Sequence, residues 1–178
     1  MLSYNVAALL RSVPGTSRTY LLAVDALPIA EDLELAAPIE GELKLSRTGR
    51  SIRAQARIQT SVAERCSRCL LPVAAPINVE IDEEALPLLD IDSGKPLDTS
   101  AEPDVLRLDE HHELDLGSAI RDAISLAEPI APLCRPDCRG LCLFCGADQN
   151  QDPGHGHPDD DIDPRLVGLA ALRDQLEQ

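Results

Sequence analysis

From Ile39 onward apolar and polar residues alternate. Gly41, Leu43 and Leu45 are separated by Glu42, Lys44 and Ser46, and a period of two predicts a strand with one buried and one wet face. "RTGR", carrying Gly49, predicts the turn of a hairpin. On the return arm Ile52, Ala54, Ala56 and Ile58 share one face while Arg53, Gln55, Arg57 and Gln59 share the other. The pattern returns further on, with Val73, Ala75, Ile77, Val79 and Ile81 inward and Asn78, Glu80 and Asp82 outward. The two repeats enclose "CSRC".

Elsewhere the period changes. "NVAALLRS" predicts a short helix with Val6, Leu9 and Leu10 on one side, broken by "VPGTS". "DVLRLDEHHELDL" predicts brief strand pairing. "DLGSAIRDAISLAEP" predicts a helix capped by Asp115, apolar at Ala119, Ile120, Ala123, Ile124 and Ala127, and stopped at Pro129. "DPRLVGLAALRDQL" predicts a last helix, with Asp163 as cap, Pro164 in its first turn, and Leu166, Leu169, Leu172 and Leu176 on its apolar side. Residues 86–104 mix acids with three prolines and predict a mobile loop. The elements add up to an α+β fold: a curved antiparallel sheet from residues 39–84 and around 105–116, with one or two packed helices. Residues 1–130 are expected to form the mixed α/β core domain, and residues 131–178 a cysteine-rich, zinc-stabilised C-terminal module ending in a helix.

Composition narrows the function. Sixteen basic against 31 acidic residues leave a formal charge of −15 in 178 residues, which opposes general nucleic-acid binding because phosphate contacts need clustered Lys and Arg. The charge is uneven. Residues 41–71 carry Lys44, Arg47, Arg50, Arg53, Arg57, Arg65 and Arg68 against Glu42 and Glu64, whereas residues 80–115 carry thirteen acids against Lys95 and Arg107. Tyr4, Tyr20 and Phe144 are the whole aromatic supply, so a surface that stacks bases on rings is excluded. No run of about 18 apolar residues occurs, and the opening lacks a basic leader with a cleavage site. The expectation is a soluble, cytoplasmic protein with no membrane partner.

In a reducing compartment clustered thiols hold metal or do redox chemistry rather than form structural disulfides. Cys134, Cys138, Cys142 and Cys145 fall within "CRPDCRGLCLFCG", and Cys66 and Cys69 form the isolated pair. With His155 and His157 of "DPGHGHP", eight candidate ligands would fill two tetrahedral zinc sites. The distal four could form one set, leaving Cys66 and Cys69 to the histidines. Equally, Cys66 and Cys69 could meet Cys142 and Cys145, leaving Cys134 and Cys138 with the histidines. Cysteines beside Arg, Pro, Asp and Gly are poor candidates for a reduced core. A thioredoxin-like couple expects its pair to open a helix after a strand, whereas "CSRC" has strand patterns on both sides; iron–sulfur ligation remains an alternative. His111 and His112 read as surface residues. There is no nucleophile elbow and no glycine-rich phosphate loop, and a closed four-thiolate site leaves no position for a catalytic water.

"CSRCLLP" between strands, "PLCRPDCRGLCLFCG" after a helix and the closing "DPRLVGLAALRDQL" together resemble the YceD-like family of large ribosomal RNA subunit accumulation proteins, its actinobacterial branch in particular. The resemblance implies a bacterial cytoplasmic protein needed for normal accumulation of large-subunit ribosomal RNA, a process rather than a reaction. Many relatives carry Cys-x-Cys where this chain has His155-Gly-His157, which supports ligand equivalence. Some proteobacterial relatives lack the distal cluster, which implies that it pins the C-terminal segment rather than forming a shared functional centre. The resulting expectation is a non-enzymatic ribosome-biogenesis factor, with Lys44, Arg53 and Arg57 approaching a large-subunit ribosomal RNA precursor and the acidic segment approaching a basic large-subunit ribosomal protein. The rivals are a thiol- or metal-dependent enzyme acting on RNA or protein thiols, and a pure protein-binding adaptor.

Overall fold

Three long strands grow from the alternating segments. The computed structural model describes residues 2–31, 33–98 and 105–157. β1 (Ser3–Asn5) and α1 (Ala7–Leu10) lead into β2 (Ser17–Val24), β3 (Leu35–Thr48), β4 (Ser51–Arg65) and β5 (Pro72–Leu86); β6 (Leu106–Arg107), β7 (Glu113–Asp115) and α2 (Gly117–Leu126) follow. β2 through β5 form an antiparallel meander, and β1 pairs with β7 in a separate two-stranded sheet. The expected antiparallel sheet is mixed at one edge, where β6 lies parallel to β5 through Ala85↔Leu106 and Leu86↔Arg107. A tight hairpin forces antiparallel pairing; the long connection after β5 lifts that constraint.

The turn after β3 has Gly49 at φ +65°, as a two-residue hairpin turn with glycine first requires. Near its other end β3 slips register between Leu35 and Ala37 and again between Ala37 and Glu40. Pro38, which has no N–H for the ladder, falls inside that irregularity, and such bulges bend a sheet.

The inward side chains are those the alternation marks. Leu43 and Leu45 of β3, Ile52, Ala54, Ala56 and Ile58 of β4, and Ala75, Ile77 and Ile81 of β5 are buried. Val6, Leu9, Leu10, Leu114, Leu116, Ile120 and Ile124 join them in one core, which brings α1, β7 and α2 onto the sheet.

β2 escaped prediction because Leu21 and Ala23, both exposed, put apolar residues on its outer face and erase the period of two. The first helix shrinks to a single turn. Leu116, not Asp115, occupies the cap position of α2, although the Asp115 carboxylate accepts from the Gly117 N–H at 2.8 Å. Within the segment read as a loop, the Leu97 N–H donates to Leu88 O, and Asp90 accepts from the Ser93 N–H at 2.8 Å and hydroxyl at 2.6 Å. The helix expected over residues 163–176 lies outside the described residues.

Candidate metal centres

β4 ends at Arg65 and β5 begins at Pro72, so the six residues between them form the tip of a long hairpin. There the Leu70 N–H donates to Cys66 O and the Cys66 N–H to Leu71 O, both at 2.9 Å, with Leu70 at φ +62°. The turn places Cys66 and Cys69 on one side. The same hydrogen-bond pattern recurs at the distal pair: the Gly146 N–H donates to Cys142 O at 2.9 Å, the Cys142 N–H to Ala147 O at 2.8 Å, and Gly146 is at φ +75°. Each Cys-x-x-Cys is thus a separate knuckle with one left-handed residue after its second cysteine.

These turns aim backbone amides at sulfur. The N–H groups of Cys69, Cys134 and Arg68 draw the Cys66 thiol down to about 6, and those of Cys145 and Phe144, helped by His157 and His155, draw Cys142 down to about 6. Cys134 moves the opposite way, pushed up to about 12 by its hydrogen bond with Cys69, by partial loss of water around the sulfur and by the other thiols. Several thiolates crowded together need a cation between them.

The partners of the hairpin tip come from beyond α2. The Ser67 N–H donates to Pro132 O at 2.8 Å, Arg68 Nη1 to Cys138 O at 2.7 Å, and the Leu141 N–H to Arg68 O at 3.0 Å. Gly140, at φ +80°, makes this docking feasible, because a Cβ there would lie 2.9 Å from Arg68 O. The result is a first centre of Cys66, Cys69, Cys134 and Cys138, and a second of Cys142, Cys145, His155 and His157; within each, the ligand atoms lie within 4.8 Å of one another.

A tetrahedral ion with metal–sulfur bonds of about 2.3 Å separates two sulfurs by about 3.8 Å, and with metal–nitrogen bonds of about 2.0 Å separates S from N by about 3.5 Å and N from N by about 3.3 Å. Cys66 and Cys138 Sγ are 3.8 Å apart, and Cys69 and Cys134 Sγ 3.6 Å. In the second centre Cys142 Sγ to His157 Nε2, Cys145 Sγ to His155 Nε2, and Nε2 to Nε2 all measure 3.1 Å. The donor sets suit a tetrahedral metal ion in both centres; the sulfur spacings of the first match one, and the spacings of the second are about 0.2–0.4 Å shorter than one would set. Cys66, Cys69, Cys138 and Cys142 are buried, Cys134 and Cys145 exposed.

All eight predicted ligands come together, but in a grouping that neither reading of the sequence contained. The run from Cys134 to Cys145 looks self-contained, yet Gly140 and Leu141 turn the chain between Cys138 and Cys142 and split it. The legible signal was that two Cys-x-x-Cys knuckles nucleate two sites. His111 and His112 belong to neither centre.

Lys44, Arg53 and Arg57 do share the outer face of β3 and β4, but that face is not positive. Arg53 makes a two-pronged ion pair with Asp82, Nε to Oδ1 at 2.7 Å and Nη2 to Oδ2 at 2.5 Å, and Arg57 Nε lies 3.0 Å from Glu80 Oε1. The Asp82 carboxyl is held below its ordinary value by Arg53 and Gln55. Register explains the neutralisation: Glu42 and Glu80 flank Arg57 from both neighbouring strands, and Glu84 stands opposite Arg53.

Among the described residues no helix is long and apolar enough to cross a membrane. The family model described as "Large ribosomal RNA subunit accumulation protein YceD" matches residues 54–173. An uncharacterised protein of Mycobacterium tuberculosis is 31% identical over 150 residues, covering 82% of this chain and 69% of the relative. One of Mycobacterium leprae is 29% identical over 168 residues, covering 94% and 70%. The Arabidopsis thaliana chloroplastic protein named large ribosomal RNA subunit accumulation protein YCED homolog 1 is 36% identical over 72 residues, 39% of this chain and 21% of the relative. No solved structure matches. The chain belongs to the YceD family.

Proposed function

We propose, with membership of the YceD family as the premise, that the chain is a non-enzymatic cytoplasmic factor supporting the accumulation of large-subunit ribosomal RNA, fastened by zinc and carrying an acidic surface for a basic large-subunit ribosomal protein. The observation that supports the non-enzymatic part is the gathering of four protein donors at each centre, which around a tetrahedral ion would leave no corner for water or substrate. Zinc, when bound, supplies divalent charge and a cross-link. Cys66, Cys69, Cys134 and Cys138 would hold one ion, joining the hairpin tip to the segment after α2; Cys142, Cys145, His155 and His157 would hold another within the C-terminal module.

Thiol chemistry is the weaker reading. A reactive cysteine is accessible, whereas Cys66, Cys69, Cys138 and Cys142 are buried, and the exposed Cys134 and Cys145 each stand within a cluster of four donors that a metal would engage. Direct RNA contact through Lys44, Arg53 and Arg57 is disfavoured as well, because phosphates would have to displace Asp82 and Glu80 from the guanidinium groups. The thirteen acids of residues 80–115 favour a cationic protein as the immediate partner, which links the chain to the ribosomal RNA precursor indirectly.

Affinity purification of the full chain from cells, with and without ribonuclease, tests the reading. Large-subunit precursors should be recovered without ribonuclease, and a basic large-subunit protein should persist with it. Recovery of a thiol-enzyme system and no ribosomal component would overturn it.

A further inference from the structure

Asn150 lies between Cys145 and His155, two of the four ligands of the second centre, and is itself a ligand of neither centre. Its side-chain oxygen receives two donors, the Arg139 backbone N–H and Arg135 Nη2, each at 2.8 Å. A backbone N–H can only donate, so the atom it meets is oxygen and the amide orientation is settled by its surroundings. Nδ2 must therefore face the other way. There it reaches Asp148 Oδ1 at 2.7 Å and Cys138 Sγ at 3.6 Å. Cys138 belongs to the first centre, so a residue from inside the second centre's loop donates to a sulfur of the other.

The surrounding bonds leave this loop little freedom. The Asp148 carboxylate accepts from the Asn150 N–H at 2.9 Å and from Gln151 Nε2 at 3.1 Å, and Asn150 and Gln151 hold it below its ordinary value. The Gln149 N–H donates to Gly140 O at 3.0 Å, and Arg139 Nη1 to Pro153 O at 3.1 Å. Closing Cys142 and Cys145 onto His155 and His157 therefore sets the position from which Asn150 meets Cys138.

We infer that Asn150 couples the two centres, so that metal in the second strengthens metal binding in the first through the Asn150 amide to Cys138 Sγ. The inference rests on both centres holding metal. Asn150 acts as a positioning residue: its N–H orients and partly neutralises a thiolate ligand, and outer partners of this kind typically change metal affinity by about 10- to 100-fold.

The test uses the full chain loaded with zinc, or with cobalt(II), whose sulfur-to-metal charge-transfer absorption separates a four-thiolate from a two-thiolate site. Release to a chelator is followed at each centre for wild type, Asn150→Ala, Asn150→Asp, His155→Ala, and His155→Ala combined with Asn150→Ala. Asn150→Asp keeps the shape and the acceptor for Arg135 and Arg139 but removes the donor, so it should speed release from the first centre at least as much as Asn150→Ala, by about 10- to 100-fold. His155→Ala should also speed that release, and should add little once Asn150 is already replaced. Wild-type behaviour of Asn150→Asp would mean that the side chain only fills space, and multiplicative effects of His155→Ala and Asn150→Ala would mean independent centres; either overturns the coupling while leaving the zinc scaffold intact. A chain that retains no metal would overturn both readings.

Discussion

Replacing Gly140 by Ala attacks the docking of the segment after α2 on the hairpin tip without touching a candidate ligand. Gly140 has φ +80°, and a Cβ there would meet Arg68 O at 2.9 Å, Arg68 Cβ at 3.1 Å and Arg68 C at 3.2 Å. A left-handed conformation costs a non-glycine residue about 1–2 kcal/mol. Pushing residue 140 away from Arg68 also strains the bond from the Leu141 N–H to Arg68 O, worth about 1 kcal/mol. Together these amount to roughly 2–3 kcal/mol, and because the contact joins the two chain segments that supply the first centre, the loss falls there. It corresponds to about 30- to 150-fold weaker zinc binding there.

Gly49→Ala is the matched control. Gly49 also has positive φ, +65°, but nothing lies within 4 Å of its Cβ position. It should lower the melting temperature while leaving zinc retention unchanged. Gly140→Ala should speed zinc release and, in hydrogen exchange, expose residues 132–157 while protection persists across Ile52 and Ile58 of β4. If the two variants release zinc at the same rate, the close approach of Gly140 to Arg68 does not hold the first centre together.

Elemental analysis of protein purified without chelator should find about two zinc ions per chain, one per centre, and thiol reagents should titrate all six cysteines only after the metal is stripped. Because Arg53 and Arg57 are already paired with Asp82 and Glu80, replacing both by Gln should change the salt slope of any RNA binding by less than about 0.9, the value for one phosphate contact; a change of about 1.8 would restore this face as an RNA surface. Asp82 is lowered from an ordinary 3.8 by Arg53, so its contribution to stability is present above that value and is lost as the pH falls through the depressed one. Arg53→Gln should therefore make acid unfolding less steep in that window, and an unchanged acid titration would show that the pair is not maintained in solution.

The strands β3, β4 and β5 were legible because each has one buried and one wet face, so a period of two survives in Ile52 to Ile58 and in Val73 to Ile81. β2 was not, since Leu21 stands exposed beside the buried Leu22, and local pattern cannot tell an exposed leucine from a core one. The parallel placement of β6 depends on where a long connection returns, which no short window records. The eight ligands were legible from residue type; their partition was not, because Cys69 and Cys134 are 65 positions apart and meet through the docking of the segment after α2 on the hairpin tip, by bonds such as Ser67 N–H to Pro132 O and Leu141 N–H to Arg68 O. Likewise the basic residues of β3 and β4 were read strand by strand, whereas the charge of their shared face is decided by the register that sets Glu80 and Glu42 on either side of Arg57.

The same separation would order the assembly of the two centres if each takes up metal. Cys145 and His155 are only 10 positions apart, against 65 for Cys69 and Cys134, and loop-closure entropy growing as the logarithm of length makes the longer closure about 1.7 kcal/mol more costly. The second centre can therefore close on its own short loop, whereas the first must wait for the β4–β5 hairpin and for the chain beyond α2 to meet it. With Asn150 already positioned by the closed second centre, Cys138 would arrive at the hairpin tip with a donor in place, and the local site would lower the cost of the distant one. Zinc would then act in sequence, folding the module before fastening it to the sheet.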